Sequence, residues 1–338
     1  MLRNQNLKIV EKFKYMLIVS LVIILVGVGF AVYRVATGDS VLNFGIDFTG
    51  GAIIEITSAD QINTQDVKDL IEGEKFDING DIQTVEADGA YIYEVRLSYT
   101  KDGKKVSDEE SFMNEIFTRD SKDDLCGRIE TMLIEKGAAV EDNGVRGYSV
   151  GETASDSLTR MAIIAIVVAL VVMLIYIVIR FTFSSALAAV CTLAHDVLVT
   201  LALMSIFNVT INSTFIAAVI TIIGYAINAS IVIFDRVRAE IKLGTDKSDK
   251  EIANSAVQQS LRVNILSSLT TLVMVVFLVI FSVSSIGEFV YPIIFGLIAS
   301  AFSAFFFGPA LWVKFRKLDG KKSKKTDNGY KGAVKQDS

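Results

Sequence analysis

MAIIAIVVALVVMLIYIVI, Met161–Ile179, contains no charge and no proline, and its reading decides the fold. A bilayer core about 30 Å thick is crossed by roughly 20 apolar residues in a helix rising about 1.5 Å per residue, so this stretch predicts a membrane span. The same reading applies to Tyr15–Tyr33, Ala186–Phe207, Ser213–Phe234, Val263–Val283 and Phe289–Val313, which gives six spans. The whole chain of 338 residues is 51% hydrophobic with 2 prolines, which excludes a soluble enzyme.

The spans divide the chain unevenly. Residues 1–14 form a short N-terminus, 15–36 the first helix and 37–156 a polar domain. A five-helix bundle follows over 157–313, with spans near 161–179, 186–207, 213–234, 263–283 and 289–313, and a basic tail closes the chain over 314–338. The apolar run of the first span is longer than a signal-peptide core and no small-residue cleavage site follows, so it is expected to stay as an anchor.

Charge sets the expected orientation. The whole chain carries −5, yet residues 37–156 hold 27 acidic and 11 basic residues. Basic residues gather in the N-terminus (Arg3, Lys8, Lys12, Lys14), between Asp235 and Arg262, and in the tail from Lys314 to Lys335. The loops 208–212 and 284–288 contain no Lys or Arg. The positive-inside rule then places both termini and the 235–262 loop in the cytoplasm and the acidic domain outside. Such acidity argues against nucleic acid as a partner.

Within the acidic domain, Ala52–Thr57 alternates as a strand, and Asn63–Glu74 reads as a helix on Val67, Leu70 and Ile71. Strands Ile82–Ala87 and Ala90–Tyr99 flank the turn dipeptide Asp88-Gly89. Lys122–Lys136 reads as a second helix closed by Gly137, and Val145–Val150 as a last strand. The order β-α-β-β-α-β is that of an α+β ferredoxin-like domain. Thr100–Ser121 reads as a charged, mobile insertion between elements.

Few residues offer chemistry. Cys126 and Cys191 lie in different regions and predict no disulfide, and the single histidine, His195, excludes a His-rich metal site. No nucleophile–base pair, metal-ligand cluster or nucleotide loop is apparent, so no enzyme activity, metal or cofactor is expected. Polar residues inside spans are costly and therefore informative. His195-Asp196 sits mid-span, and a carboxyl at that depth is either functional or a structural partner of Asn228 or Tyr225. Ser267, Thr270, Ser300 and Ser303 read as small residues for close helix packing. The segment Asn43–Gly51 places three glycines around Asp47 just before a strand, where glycine permits positive φ or close backbone approach and Asp47 can cap exposed N–H groups.

FGIDFTGG (Phe44–Gly51), AHDV (Ala194–Val197), GYAINASIVIFDRVR (Gly224–Arg238) and SSLTT (Ser267–Thr271) occur in this order. Together they resemble the SecF branch of the SecD/SecF family of bacterial protein-export subunits, over nearly the whole chain. The motif residues so marked are Gly45, Asp47, Phe48, Thr49, Gly50, Gly51, His195, Asp196, Gly224, Tyr225, Asn228, Asp235 and Arg236. The resemblance implies an α-helical polytopic protein of the bacterial cell membrane, with six transmembrane helices forming half of a resistance-nodulation-division (RND) bundle and the extracytoplasmic domain between helices 1 and 2. It implies pairing with SecD, action with the SecYEG channel and YidC on a translocating unfolded polypeptide, and use of the ion-motive force. An RND-type half-transporter for lipid or small molecules, and an uncoupled membrane scaffold, are the alternatives. Two departures bear on coupling. Ala229 stands where the family has an Asp, and Val263 stands at the family's Arg in the fifth span, next to Arg262.

Overall fold

The computed structural model describes residues 8–37, 41–80, 82–87, 89–101, 104–106, 109–118, 123–244, 246–281 and 287–319. A 3-10 turn at Val10–Lys12 leads into helix α1, Phe13–Thr37. A short helix α2, Ile46–Thr49, precedes strand β1, Gly51–Ser58. Then come α3 (Thr64–Gly73), β2 (Phe76–Ile78), β3 (Gln83–Ala87), β4 (Ala90–Lys101), β5 (Lys104–Lys105), α4 (Glu109–Ile116), α5 (Leu125–Glu135) and β6 (Val140–Val150). The helical part is α6 (Glu152–Arg180), α7 (Phe183–Ile206), α8 (Thr214–Lys242), α9 (Asp249–Phe281), α10 (Gly287–Phe306) and α11 (Gly308–Phe315).

The sheet is wholly antiparallel in the order β2-β4-β1-β6, with β3 and β5 also pairing β4. That is the split order of a ferredoxin-like sheet. Local chemistry starts and stops its helices. The Asn63 side chain accepts from Gln65 N–H to open α3, and Asp124 accepts from Gly127 N–H at 2.7 Å to open α5. Ala52, Ile54, Ile56, Val95 and Leu97 from the central pair β1–β4 meet Val67, Ile71, Ile129 and Leu133 from α3 and α5 in one core. Each Val, Leu or Ile among them contributes roughly 1.5–3 kcal/mol by leaving water.

The segment read as a mobile insertion, Thr100–Ser121, is in part ordered. α4 buries Phe112 and Ile116, and Phe112 stacks edge-on against Phe76 and Tyr99 at 5.6 and 5.1 Å. Two large apolar anchors one helical turn apart outweigh the surrounding charge. The last strand begins at Val140, earlier than its reading from Val145.

Six helices, α1 and α6 to α10, are long and apolar enough to cross a membrane. About half of the most apolar window of α7, α8 and α10 is buried, against 17%, 11% and 6% for α1, α6 and α9. The first three thus form an inner layer, while the others leave Val22, Ile164 and Met274 uncovered, as lipid-facing side chains can be. The fifth spanning helix starts at Asp249, well before Val263, because the polar stretch preceding the span is itself helical. The reading of one span over 289–313 is corrected: α10 ends at Phe306 and α11 starts at Gly308. Pro309 lacks the N–H that would continue the helix ladder there. The basic tail from residue 320 onward, the N-terminal seven residues, Asp88 and the predicted loop residues 284–286 lie outside the described residues.

Candidate functional site

A polar junction lies where Gly45–Gly51 joins the sheet domain to the inner helices. Phe44 bridges Ile211 in parallel: Ile211 N–H donates to Asn43 O at 2.7 Å and Gly45 N–H to Ile211 O at 2.9 Å. This stitches the motif to the turn between α7 and α8. The Asp47 carboxylate accepts the Ser213 N–H at 2.8 Å, directly before α8. An anion there satisfies one of the orphan donors at the helix start and complements the helix dipole. Phe48 packs edge-on to Phe44 at 6.2 Å, and the Thr49 hydroxyl lies 3.2 Å from Gly45 O and 3.3 Å from Gly50 O. Ser155 in α6 faces the same turn, its hydroxyl donating to Ile46 O at 3.3 Å.

The glycines have separate physical reasons. Gly50 adopts φ 75 and ψ 161, a region open to glycine and little else. Gly51 and Gly45 are set by crowding: a Cβ on Gly51 would lie 2.3 Å from Leu97 O, and one on Gly45 would meet the Asn212 amide.

A second set of residues ties the sheet to α10. Arg96 on β4 donates to Glu288 at 2.8 Å and to Glu94 at 2.9 Å, and reaches Gln83 at 3.3 Å. Glu288 stands in the first turn of α10 and also accepts from the Asn212 amide. Burial alone would lower the Arg96 pKa, but the Glu288 and Glu94 carboxylates outweigh it and hold the guanidinium above its ordinary value. Asn79 donates to Phe44 O at 3.1 Å, completing the link. None of Asn79, Gln83, Arg96, Asn212 and Glu288 stood out in the sequence. The available signal was faint: Arg96 is the lone basic residue between Lys75 and Lys101 in an acidic domain, and Glu288 is a carboxylate at the edge of a span.

The motif residues deeper in the helices fall into two environments. Asp196 is fully buried and pairs with its neighbour, His195 Nδ1 lying 3.1 Å from Oδ1. His195 stacks on Phe307 at 4.1 Å, and the Ser303 side chain faces the same carboxyl. The partners expected for Asp196 are therefore corrected. Tyr225 instead donates to Ser268 at 2.7 Å, and Asn228 points away from the bundle. Both follow from helix phase, since α8 turns Ala226, Ile227 and Ser230 inward and leaves Thr221 and Asn228 exposed. Ala229 is buried, and the residue facing it from α9 is Asn264, whose amide donates to Ala229 O at 3.3 Å; Val263 is 54% exposed. Asp235 lies 3.9 Å from Arg180, and Arg236 is exposed. Among the described residues no cluster of three His, Cys, Asp or Glu could hold a metal.

The chain is similar to known proteins over most of its length. The family model for the protein export membrane protein SecD/SecF, C-terminal, matches residues 130–318, and the SecD/SecF GG motif matches 37–61. Protein translocase subunit SecF of Cereibacter sphaeroides is 30% identical over 78% of this chain and 77% of its own length. SecF of Vibrio alginolyticus is 30% identical over 81% and 80%. Protein translocase subunit SecDF of Bacillus subtilis is 30% identical over 83% of this chain but only 35% of its own. A crystal structure of SecDF from Thermus thermophilus shares the fold at a TM-score of 0.64 and 24% identity, over 91% of this chain and 38% of that one. A multi-pass membrane protein carrying both the GG motif and the C-terminal helical region, this chain belongs to the SecD/SecF family of protein-export membrane proteins, as a relative of the translocase subunit SecF.

Proposed function

We propose that this chain is the SecF half of a SecD–SecF pair in the bacterial cell membrane, with both termini cytoplasmic and the sheet domain outside, working with SecYEG and YidC to draw unfolded polypeptide outward. The observation that carries the pairing is the uncovered face of α8. Thr221 and Asn228 are exposed, Tyr225 is half-buried, and a Cβ on Gly224 would meet nothing within 4 Å. A polar amide at membrane depth without cover from its own chain calls for protein rather than lipid beside it. The joined SecDF chain of Bacillus subtilis supports SecD in that place. The basic-residue asymmetry supports the orientation. No bond-making chemistry is assigned to the chain.

Ion coupling is assigned to SecD rather than to α8 of this chain. A coupled site needs a group that changes charge at depth, and the Ala229–Asn264 contact has none. Asp196, on α7, is engaged within its own bundle by His195 and Ser303 and is read as a structural carboxyl, so Asp196→Asn should leave gradient-dependent export intact, whereas neutralising the matching carboxylate in SecD should abolish the dependence. Loss on Asp196→Asn alone, in a complex that still assembles, contradicts this.

The pairing is tested by cross-linking in membranes that contain SecD. Asn228→Cys should cross-link to SecD, and Val22→Cys on the exposed face of α1 should not. Equal cross-linking at both positions, or none at Asn228→Cys, overturns the pairing on α8.

A further inference from the structure

We infer that Arg180 and Arg238 form a binding site for the phosphate of an anionic phospholipid, at the shared end of α6 and α8. The site goes beyond the role in export and does not depend on it. The apolar run of α6 stops at Ile179 and that of α8 at Phe234, so Arg180 and Asp235 mark one level, where hydrocarbon gives way to headgroups. Arg238 Nη1 donates to Arg180 O at 3.4 Å, at the C-terminal end of α6. The Arg180 guanidinium lies 5.4 Å from the centre of the Phe181 ring. Two guanidiniums from different helices are thus brought to one place, and their planar forks of N–H donors match the oxygens of a phosphate.

The local charge favours an anion. Arg180, Arg236, Arg238 and Lys242, all exposed, stand against one exposed carboxylate, Asp235, which lies 3.9 Å from Arg180. At that distance and exposure the ion pair is weak and screened, so both guanidiniums can take a second anion. Glu240 and Asp319, at the same end of the bundle, are taken up elsewhere: Glu240 by Lys247, Ser255 and Gln259, and Asp319 by Ser184 and Arg316. The surroundings favour a lipid over a free anion. Only 11% of the most apolar window of α6 is buried, and Tyr176, one turn before Arg180, is 47% exposed, so an acyl chain can run along the helix from the headgroup. Phe183, 57% exposed, adds apolar surface at the same level. Basic residues between membrane helices at headgroup level recognise anionic lipids in this way.

Photoactivatable lipids give a direct test. Phosphatidylglycerol or phosphatidylcholine, each with its reactive group high on the acyl chain, is placed in vesicles holding the full chain, with and without SecD, and the labelled peptides are mapped. Phosphatidylglycerol should label residues 176–183 about fivefold more than phosphatidylcholine does, whether or not SecD is present. Arg180→Gln/Arg238→Gln should lower that labelling about fivefold and leave labelling around Val22 on α1 unchanged. Asp235→Asn removes the competing carboxylate and should raise the labelling about twofold, a gain that a folding defect does not produce. Equal labelling by the two lipids, or labelling unmoved by either replacement, overturns the site. Loss of labelling when SecD is added assigns this end to SecD and overturns it as well. Labelling abolished by millimolar inorganic phosphate also overturns it, because the ligand is then a free anion.

Discussion

Gly50 carries the most restrictive conformation in the junction, and its consequence is measurable. At φ 75 and ψ 161, any Cβ is strained, and here it would also meet the Tyr99 ring at 3.0 Å and Val150 O at 3.3 Å. Gly50→Val should destabilise the docked sheet domain by about 1–3 kcal/mol. Thermal unfolding in detergent should register this as a lowered midpoint while membrane insertion is retained; an unchanged midpoint refutes the strain. Asp47→Ala tests a different force at the same place. Its carboxylate satisfies the Ser213 N–H, and losing a cap of this kind costs about 0.5–2 kcal/mol. Faster hydrogen exchange at the start of α8 is the expected sign, and Asp47→Asn should retain part of the protection. These roles were legible in the sequence only as residue types. Three glycines around an aspartate announce a tight turn, but the residue that Asp47 caps lies far along the chain and nothing local points to it.

At the scale of elements, α4 shows where pattern reading gives out. Glu109–Ile116 is short and carries three glutamates in eight residues, so it shows no extended periodicity, yet Phe112 is among the largest fully buried side chains of the sheet domain. Phe112→Ala should cost about 3–5 kcal/mol by removing a ring packed between Phe76 and Tyr99. A loss below about 1 kcal/mol in urea unfolding would return this segment to the status of an insertion. α5 makes a second prediction through Cys126. Burial, reinforced by the nearby Asp124 and Glu130 charges, pushes its thiol pKa up. The neutral thiol should therefore resist alkylation in the folded protein at pH 8 and react once urea is added. By the same shift, its contribution to stability is complete below the unfolded thiol's pKa and declines as pH rises above it. The six spans were legible because lipid demands about twenty apolar residues in a row. The break at Phe307 was not, since Gly308-Pro309 interrupts the ladder without interrupting the hydropathy. The contacts of Arg96 and Asn212 with Glu288 were illegible for another reason: they come from the sheet, a turn and a helix start, and only the fold brings them together.

For the whole molecule, an inner layer of α7, α8 and α10 presents one polar face outward on α8 and carries the sheet domain on its other contacts. The matched region fills only about two fifths of the SecDF chains of known structure whose fold it shares. The orientation is checked by labelling intact cells with an impermeant thiol reagent. Asp60→Cys, exposed in the sheet domain, should react from outside, and Lys242→Cys at the end of α8 should not. The reverse pattern would invert the topology. The central claim is that this chain promotes the late, gradient-driven stage of protein export, and pulse–chase of a secreted preprotein in cells depleted of the chain tests it most directly. The account predicts that precursor and membrane-associated mature protein accumulate on depletion and clear when the chain is resupplied. Release at the normal rate in depleted cells would contradict it.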